Sequence, residues 1–242
     1  DLRTTEMIAT VENNLTVISN GILLSDKKNA DSTRTFHYHA TIPYPNYLTS
    51  VVAGEYISVT KKLNGVTLQT FCYPDEVEAA KASVVRLPDM LKFFTEQTGV
   101  AYPYKTYSQV MVQDYPFPGQ TGQHIATIIS DNFVDDYGTH ADFLYLWDGV
   151  ESNALAAQWF GNMITAKDWK HNWLMKSFAQ YMEGLYTASR NGEDEYLLWY
   201  YQPYELGTVM ADWQAGYRHA LVPDTIHNKE QFVTDNYAKL RG

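Results

Sequence analysis

The sequence is poor in the residues that build disulfide and metal frameworks. Cys72 is the only cysteine among 242 residues, which excludes an intramolecular disulfide framework and any cysteine-rich zinc module. Seven histidines are scattered along the chain, and no two of them have the spacing H-x-x-x-H that a helical zinc site needs. The sequence also lacks a G-x-S-x-G motif and a phosphate-binding glycine loop, so these catalytic classes have no support.

Positive charge and long apolar runs are also scarce. Lys and Arg number 18 against 28 Asp and Glu, which gives a formal net charge of −10. This balance argues against a nucleic-acid binder, because phosphate contacts need clustered cations. No apolar run reaches the ~18 residues of a membrane span, and the polar first residues predict no signal peptide. A mature form cut from a longer precursor is compatible with this start.

The first part of the chain has the pattern of β-structure. Hydrophobic residues make up 45% of the sequence, which is enough for a packed core. Short β-branched runs such as LTVISNG, RTFHYHATI and TLQTFCYP predict strands. The dipeptide Asn64-Gly65 lies between two such runs and predicts a tight hairpin turn.

Helical spacing begins near Asp75. We expect Pro88 to kink this segment or to divide it into two helices, and Gly99 to end it. Strand patterns then return, and from Asp142 onwards the spacing of apolar residues predicts mostly helix. Pro203 is expected to interrupt the last long helical stretch.

A run of motifs in the second half of the chain resembles a known family. The sequence has QWFGN at 158–162, AKDW at 166–169 and WLMKSFA at 173–179. The pattern resembles that of the zinc aminopeptidases of the membrane alanyl aminopeptidase and leukotriene hydrolase family, which are gluzincin peptidases. In that family H-E-x-x-H-Q-W-F-G-N is followed by P-K-D-W and W-L-N-E-G-F-A. The segments TIPYPNYLTSVVAGEY and YPYKTYSQVMVQDYP extend the resemblance to nearly the whole chain.

The resemblance implies an α+β fold. Residues 1–66 would be the end of an N-terminal β-domain, and residues 67–242 a thermolysin-like catalytic domain with a small sheet and helices. The last segment has helical potential but no cap. We therefore expect the chain to be truncated at its C-terminus, with the remainder of a longer protein following Gly242.

The same resemblance places the metal site on residues that cannot form one. In the family, two histidines and a downstream glutamate bind zinc, and a glutamate beside the first histidine is the general base. The corresponding ligand positions hold Asn153, Ala157 and Lys176, and the base position holds Ala154. A lysine about 4 Å from a dication would be repelled by about 8 kcal/mol at an effective dielectric of ~20. We therefore expect no zinc cofactor.

The substrate loop differs from the family pattern as well. The family's G-x-M-E-N loop corresponds to Gly119, Gln120, Thr121, Gly122 and Gln123. Gly122 stands where a glutamate pairs with the free amine of the substrate, so the preference for chain ends should be lost. Tyr237, in Tyr-Ala-Lys, matches the family's transition-state tyrosine, and Tyr204 is a local look-alike.

Several other residues are open to alternative interpretations. Candidate binding groups are Asp135, Asp136 and His140 as a replacement metal cluster, His37 and His39 as a metal-binding strand pair, and His124 as a peptide contact. Ordinary structural roles are favoured in each case. Trp159 and Phe160 are expected to pack in the core, Cys72 to be buried and inert, and Lys176 to pair with a carboxylate such as Glu151.

These patterns favour a catalytically inactive, aminopeptidase-like protein. It would bind a peptide or a protein partner, for example by adding an extended peptide to an exposed strand edge. The alternative is an active zinc aminopeptidase whose ligands lie elsewhere. A deliberately inactivated variant would explain Ala154 and Ala157 but not Lys176. Members of the family are often exported or membrane-tethered, so an exported or periplasmic location is one option that the resemblance implies.

Overall fold

The computed structural model describes residues 2–83, 85–115, 125–133, 144–214, 216 and 220–222. The chain divides into two compact units, Asp1–Phe143 and Leu144–Gly242. None of the helices in these described ranges is long and apolar enough to span a bilayer. The domain boundary predicted between residues 66 and 67 falls inside a β-hairpin of the first unit and stays a prediction.

The described part of the first unit contains nine strands. In chain order they are β1 (Leu2–Glu12), β2 (Thr16–Ser19), β3 (Ile22–Lys28), β4 (Thr33–Pro45), β5 (Val51–Gly54), β6 (Ile57–Leu63), β7 (Val66–Cys72), β8 (Thr106–Val112) and β9 (Ala126–Ser130). They form three sheets with the orders β1-β4-β3, β2-β5 and β6-β7-β8-β9. The β7-β8 and β8-β9 pairs are parallel, and the other pairs are antiparallel.

Alternation of side chains builds the core of this unit. Along β4, Phe36 and Tyr38 are buried while the intervening positions are half-exposed, which is the side-chain period of two of a strand. Val17 and Ile18 are neighbours on β2 and point to opposite faces. Val17 therefore joins a cluster with Phe36 and Tyr38, whereas Ile18 joins one with Phe71.

The turn between β6 and β7 is set by its two central residues. Asn64 and Gly65 have φ angles of 49° and 80°, and Leu63 pairs with Val66 across them. Two successive positive φ angles define the type I′ turn, whose twist matches that of the flanking strands. The hairpin predicted from Asn64-Gly65 is confirmed.

Two helices connect β7 to β8. They are α1 (Val77–Ser83) and α2 (Leu87–Thr98). Pro88 lies in the first turn of α2, where its missing N–H has no intrahelical partner to lose. Gly99 ends α2 with a left-handed φ of 67°. The predicted division at Pro88 and the predicted end at Gly99 are both confirmed.

A buried polar link joins the β2-β5 sheet to β9. The backbone N–H of Ser50 donates to Asn20 Oδ1 at 2.7 Å, and its carbonyl accepts from Ser19 Oγ at 2.9 Å. The Ser50 hydroxyl donates to the carbonyl oxygen of Ala126 at 3.0 Å. Because these groups are buried, each needs a partner inside the protein. The link therefore fixes the first residue of β9.

The second unit is helical in its described part. Its elements are α3 (Leu144–Ala156), a 3-10 turn (Trp169–His171), α4 (Trp173–Asn191), α5 (Glu193–Glu195), a π-helix (Tyr196–Leu206) and α6 (Gly207–Gln214). Gly192 follows α4 with a φ of 94°. Pro203 lies inside the π-helical stretch, which continues to Leu206, so the helix is not interrupted at Pro203 itself.

Replacement of Gly65 by alanine tests the hairpin turn. An added Cβ would meet no atom within 4 Å. The substitution should therefore lower the free energy of unfolding only through the left-handed backbone conformation, by about 1 kcal/mol. We expect Gly65→Ala to lower the urea midpoint measured by circular dichroism. Asn64→Gly, which keeps the turn accessible, is the control and should change the midpoint much less. An unchanged midpoint for Gly65→Ala would show that the turn does not need a positive φ there.

Candidate functional site

The predicted metal positions lie on two helices of the second unit. Asn153 and Ala154 are in the last turn of α3, and Ala157 directly follows it. The N–H of Ala157 donates to the carbonyl of Asn153 at 2.9 Å, so these residues keep the helical i, i+4 relation that aligns two side chains. Lys176 is in the first turn of α4 and is half-buried.

Asn153 connects α3 to α4 through its amide. Its Nδ2 donates to Glu183 Oε2 at 2.8 Å and lies 3.5 Å from Gln180 Oε1. Gln180 and Glu183 are almost one turn apart on α4 and are buried, with 1% and 6% of their surface exposed. A carboxylate that accepts from an amide forms a charge-assisted hydrogen bond. The first predicted ligand position is therefore occupied by a hydrogen-bonded amide.

The other predicted positions offer no donor set for a metal. Ala154 and Ala157 are buried and have no side-chain donor atom, and Lys176 carries a positive charge when protonated. Within the ranges that the structure describes, no three His, Cys, Asp or Glu side chains are placed to hold a metal ion. The residues at these positions do not fit the zinc ion that the resemblance implies.

Two further carboxyl groups are buried on α3. Asp148 and Glu151 are each only 2% exposed, and Glu151 Oε2 accepts no hydrogen bond from the residues that the structure describes. Burial, and after it the neighbouring charge of Asp148, raises the pKa of Glu151 well above its usual value. The sequence suggested Glu151 as a partner for Lys176, and that pairing stays a prediction. The surroundings of Glu151 favour the protonated form of its carboxyl group.

The QWFGN segment forms the turn after α3. Trp159 is buried, as predicted, and the ring of half-buried Phe160 stacks on Phe178 at a centroid distance of 5.3 Å. Gly161 has a φ of 136°, and an added Cβ would lie 3.2 Å from the carbonyl oxygen of Ala157. This turn therefore needs glycine, and the motif packs the end of α3 against α4.

Two important residues of this site were missed by sequence reasoning. Glu183 lies on the buried side of α4, whose inward positions include Met175, Ala179 and Met182. A charged residue at an apolar position of a helical pattern is a signal that it contacts a polar partner. Gly149 lies one turn before Asn153, and a glycine inside a helix similarly indicates a close approach.

The outward face of β4 holds the predicted strand pair. His37 and His39 are both half-exposed, and His37 Nε2 lies 2.6 Å from Glu6 Oε1 on β1. His37 thus has a carboxylate partner on the neighbouring strand. Cys72 is fully buried, and burial raises the pKa of its thiol to about 11, which keeps the thiol protonated and unreactive at neutral pH.

Several predicted residues lie outside the part of the chain that the structure describes. These are Gly119, Gln120, Thr121, Gly122 and Gln123 of the substrate loop, together with His124, Asp135, Asp136, His140 and Tyr237. Their predicted roles stay predictions.

Comparison with known proteins identifies both a transcription initiation factor subunit and an aminopeptidase among the related sequences. The Peptidase family M1 domain matches residues 84–239. Transcription initiation factor TFIID subunit 2 of Drosophila melanogaster is 32% identical over 78% of this chain and 15% of that protein. The chain is 28% identical to the same factor of Gallus gallus, over 87% of the chain and 18% of that protein. Puromycin-sensitive aminopeptidase of Caenorhabditis elegans is 28% identical over 74% of the chain and 19% of that protein. The chain thus spans less than a fifth of the length of these relatives.

The raised pKa of Glu151 predicts a pH dependence of stability. The folded state keeps this proton above the ordinary glutamate pKa, whereas the unfolded state releases it. The contribution to the free energy of unfolding is therefore full below the unfolded pKa and is lost as pH rises towards the folded pKa. Glu151→Gln removes this titration, so the variant should lose less stability than the unsubstituted protein as the pH rises above the ordinary pKa of a glutamate.

Urea unfolding at several pH values, followed by circular dichroism, measures this difference. Glu193→Gln is the matched control, because Glu193 is exposed at the start of α5, and its profile should follow that of the unsubstituted protein. Parallel profiles for Glu151→Gln and the unsubstituted protein would contradict the prediction.

Proposed function

Because the chain belongs to peptidase family M1, we propose that it is a metal-free member of that family which acts as a protein-binding subunit. The observation that carries the proposal is the chemistry of the predicted ligand positions. Asn153 donates its amide hydrogen to Glu183, two alanines offer no donor atom, and Lys176 opposes a dication. Without zinc and without a general base at Ala154, the residues cannot activate water for peptide hydrolysis.

The relatives named as TFIID subunit 2 support a role in an assembly. They match most of this chain at 28–32% identity in Drosophila and chicken. Their name states membership of a transcription initiation factor, so the proposed partners are the other subunits of such a factor. A role in such a complex takes the place of the exported location that the family resemblance implied.

A strand edge of the first unit is a second surface that fits the proposal. Among the described strands, β6 pairs only with β7 and begins the order of its sheet. All of its residues are exposed or half-exposed. An extended segment of a partner could pair with such an edge through its backbone, which needs no metal. We include this peptide-binding mode in the proposal.

The finer architecture that goes with this function is also proposed. Residues 1–66 would complete an N-terminal β-domain, and residues 67–242 would form a thermolysin-like domain. Support comes from the family match over residues 84–239 and from the parallel strands and helices within that range. Tyr237 would keep the position of the family's transition-state tyrosine without catalytic use.

The second candidate function is an active zinc aminopeptidase with a rearranged site. The identity to puromycin-sensitive aminopeptidase favours it. In that case at least part of the ligand set would come from outside the described ranges, because no group of three suitable side chains is found within them.

Metal content and hydrolysis distinguish the two functions. After equilibration with zinc and desalting, we expect far less than one zinc per chain by elemental analysis, and no chelator-sensitive release from alanyl or leucyl amides. Puromycin-sensitive aminopeptidase treated in parallel is the positive control. About one zinc per chain together with turnover would overturn the metal-free proposal and favour the second function.

Affinity purification of the tagged protein from its own cells tests the partner. We expect subunits of a transcription initiation factor to co-purify in fixed proportion and to remain after washing with chelator, since no metal is needed. The tag alone serves as the control. Recovery of the protein without those subunits would remove the proposed partner.

A further inference from the structure

We propose that the Glu183 carboxylate cross-links α3 and α4 in place of a metal ion, and that Gly149 and Asn153 together form its binding site on α3. The contacts of Glu183 do not depend on the proposed function, whereas the statement that they replace a metal ion rests on it. Glu183 is a positioning residue in this scheme: it holds together the two helices that carry the predicted ligand positions.

Gly149 supplies the space for the carboxylate. A Cβ added at this position would lie 3.0 Å from Glu183 Oε1 and 3.8 Å from its Cδ. The first distance is shorter than about nine in ten real contacts of a Cβ, so either the carboxylate or the helix would have to move. Glycine inside a helix is less stable than alanine by up to about 1 kcal/mol. The close approach of Glu183 explains why glycine is present at this position inside a helix.

Asn153 supplies the hydrogen bond. It lies four residues after Gly149, so both positions are on the same face of α3 and one turn apart. Its Nδ2 donates to Glu183 Oε2 at 2.8 Å, while the other oxygen, Oε1, lies over Gly149. Two successive turns of α3 therefore contact the two oxygens of one carboxylate.

Burial makes this contact important for the helix pair. Glu183 is 6% exposed, and a buried carboxylate is costly unless donors satisfy it. Loss of Asn153 would leave the charge with one donor fewer, and loss of Glu183 would leave the Asn153 amide without this acceptor. A zinc ion ties helices through its ligands in the same way, but only while the metal is bound. The Asn153–Glu183 hydrogen bond needs no metal.

A double-mutant cycle on the full chain tests the cross-link. Asn153→Ala and Glu183→Ala should each raise the unfolding equilibrium constant by about tenfold or more, as expected for a hydrogen bond to a charged group. The double variant should raise the unfolding equilibrium constant by far less than the product of the two single-variant factors. Glu96→Ala on α2 is the control, because its pair with Lys92 is exposed and should change the constant by less than about twofold.

Gly149→Ala gives an independent test, because its effect on the free energy of unfolding should change sign when Glu183 is replaced. In an ordinary helix this substitution stabilises, but here it should destabilise, because the new methyl group meets the carboxylate. In the Glu183→Ala background the same substitution should become stabilising. If Glu183→Ala does not fold, Glu183→Asp carries the test, since its shorter side chain withdraws from Gly149.

The outcomes separate this inference from the proposed function. Multiplicative effects of Asn153→Ala and Glu183→Ala, or stabilisation by Gly149→Ala in the unsubstituted protein, would overturn the cross-link and leave the metal-free proposal intact. Stoichiometric zinc with turnover would overturn the metal-free function, while the cycle would still report whether Glu183 connects the helices.

Discussion

The Glu183 carboxylate, buried between α3 and α4, is the contact around which the described part of the second unit is arranged. Removing a carboxylate from water costs several kcal/mol, so the surrounding sequence must supply donors and space. Asn153 supplies a donor at 2.8 Å, and Gly149 leaves room for the second oxygen. The choice of residues along one face of α3 follows from this one group on α4.

The same face of α3 keeps the helical spacing of the family's motif but carries different side chains. The helical spacing that would align two metal ligands is still present between Asn153 and Ala157, because spacing is a property of the backbone. The donor atoms belong to the side chains and are absent or engaged. The interior has also kept acidic groups, since Asp148 and Glu151 are both buried. The backbone spacing of such a helix pair and the chemistry of its side chains are therefore independent of each other.

Local signals in the sequence were sufficient for the turns and helix ends. Asn64-Gly65, Pro88 and Gly99 each restrict their own backbone, so their roles do not depend on distant residues. The motif QWFGN and the segment 173–179 assigned the candidate positions to residues that the structure places on α3 and α4 or directly after α3. Glu183 and Gly149 could not be paired from sequence, because they are 34 positions apart and meet only when α3 and α4 pack. The raised pKa of Glu151 has the same origin, since it depends on burial that no sequence spacing reveals.

The distribution of two residue types gives the chain a natural pair of reporters. All six tryptophans of the sequence are in the second unit, at positions 147, 159, 169, 173, 199 and 213, whereas the single cysteine, Cys72, is in the first. Cys72 is fully buried and its thiol is protonated at neutral pH, so a thiol reagent reacts only when the first unit opens. Indole emission, in contrast, responds to the environment of the second unit. The opening of each unit can therefore be followed in the same sample, with no label and no substitution.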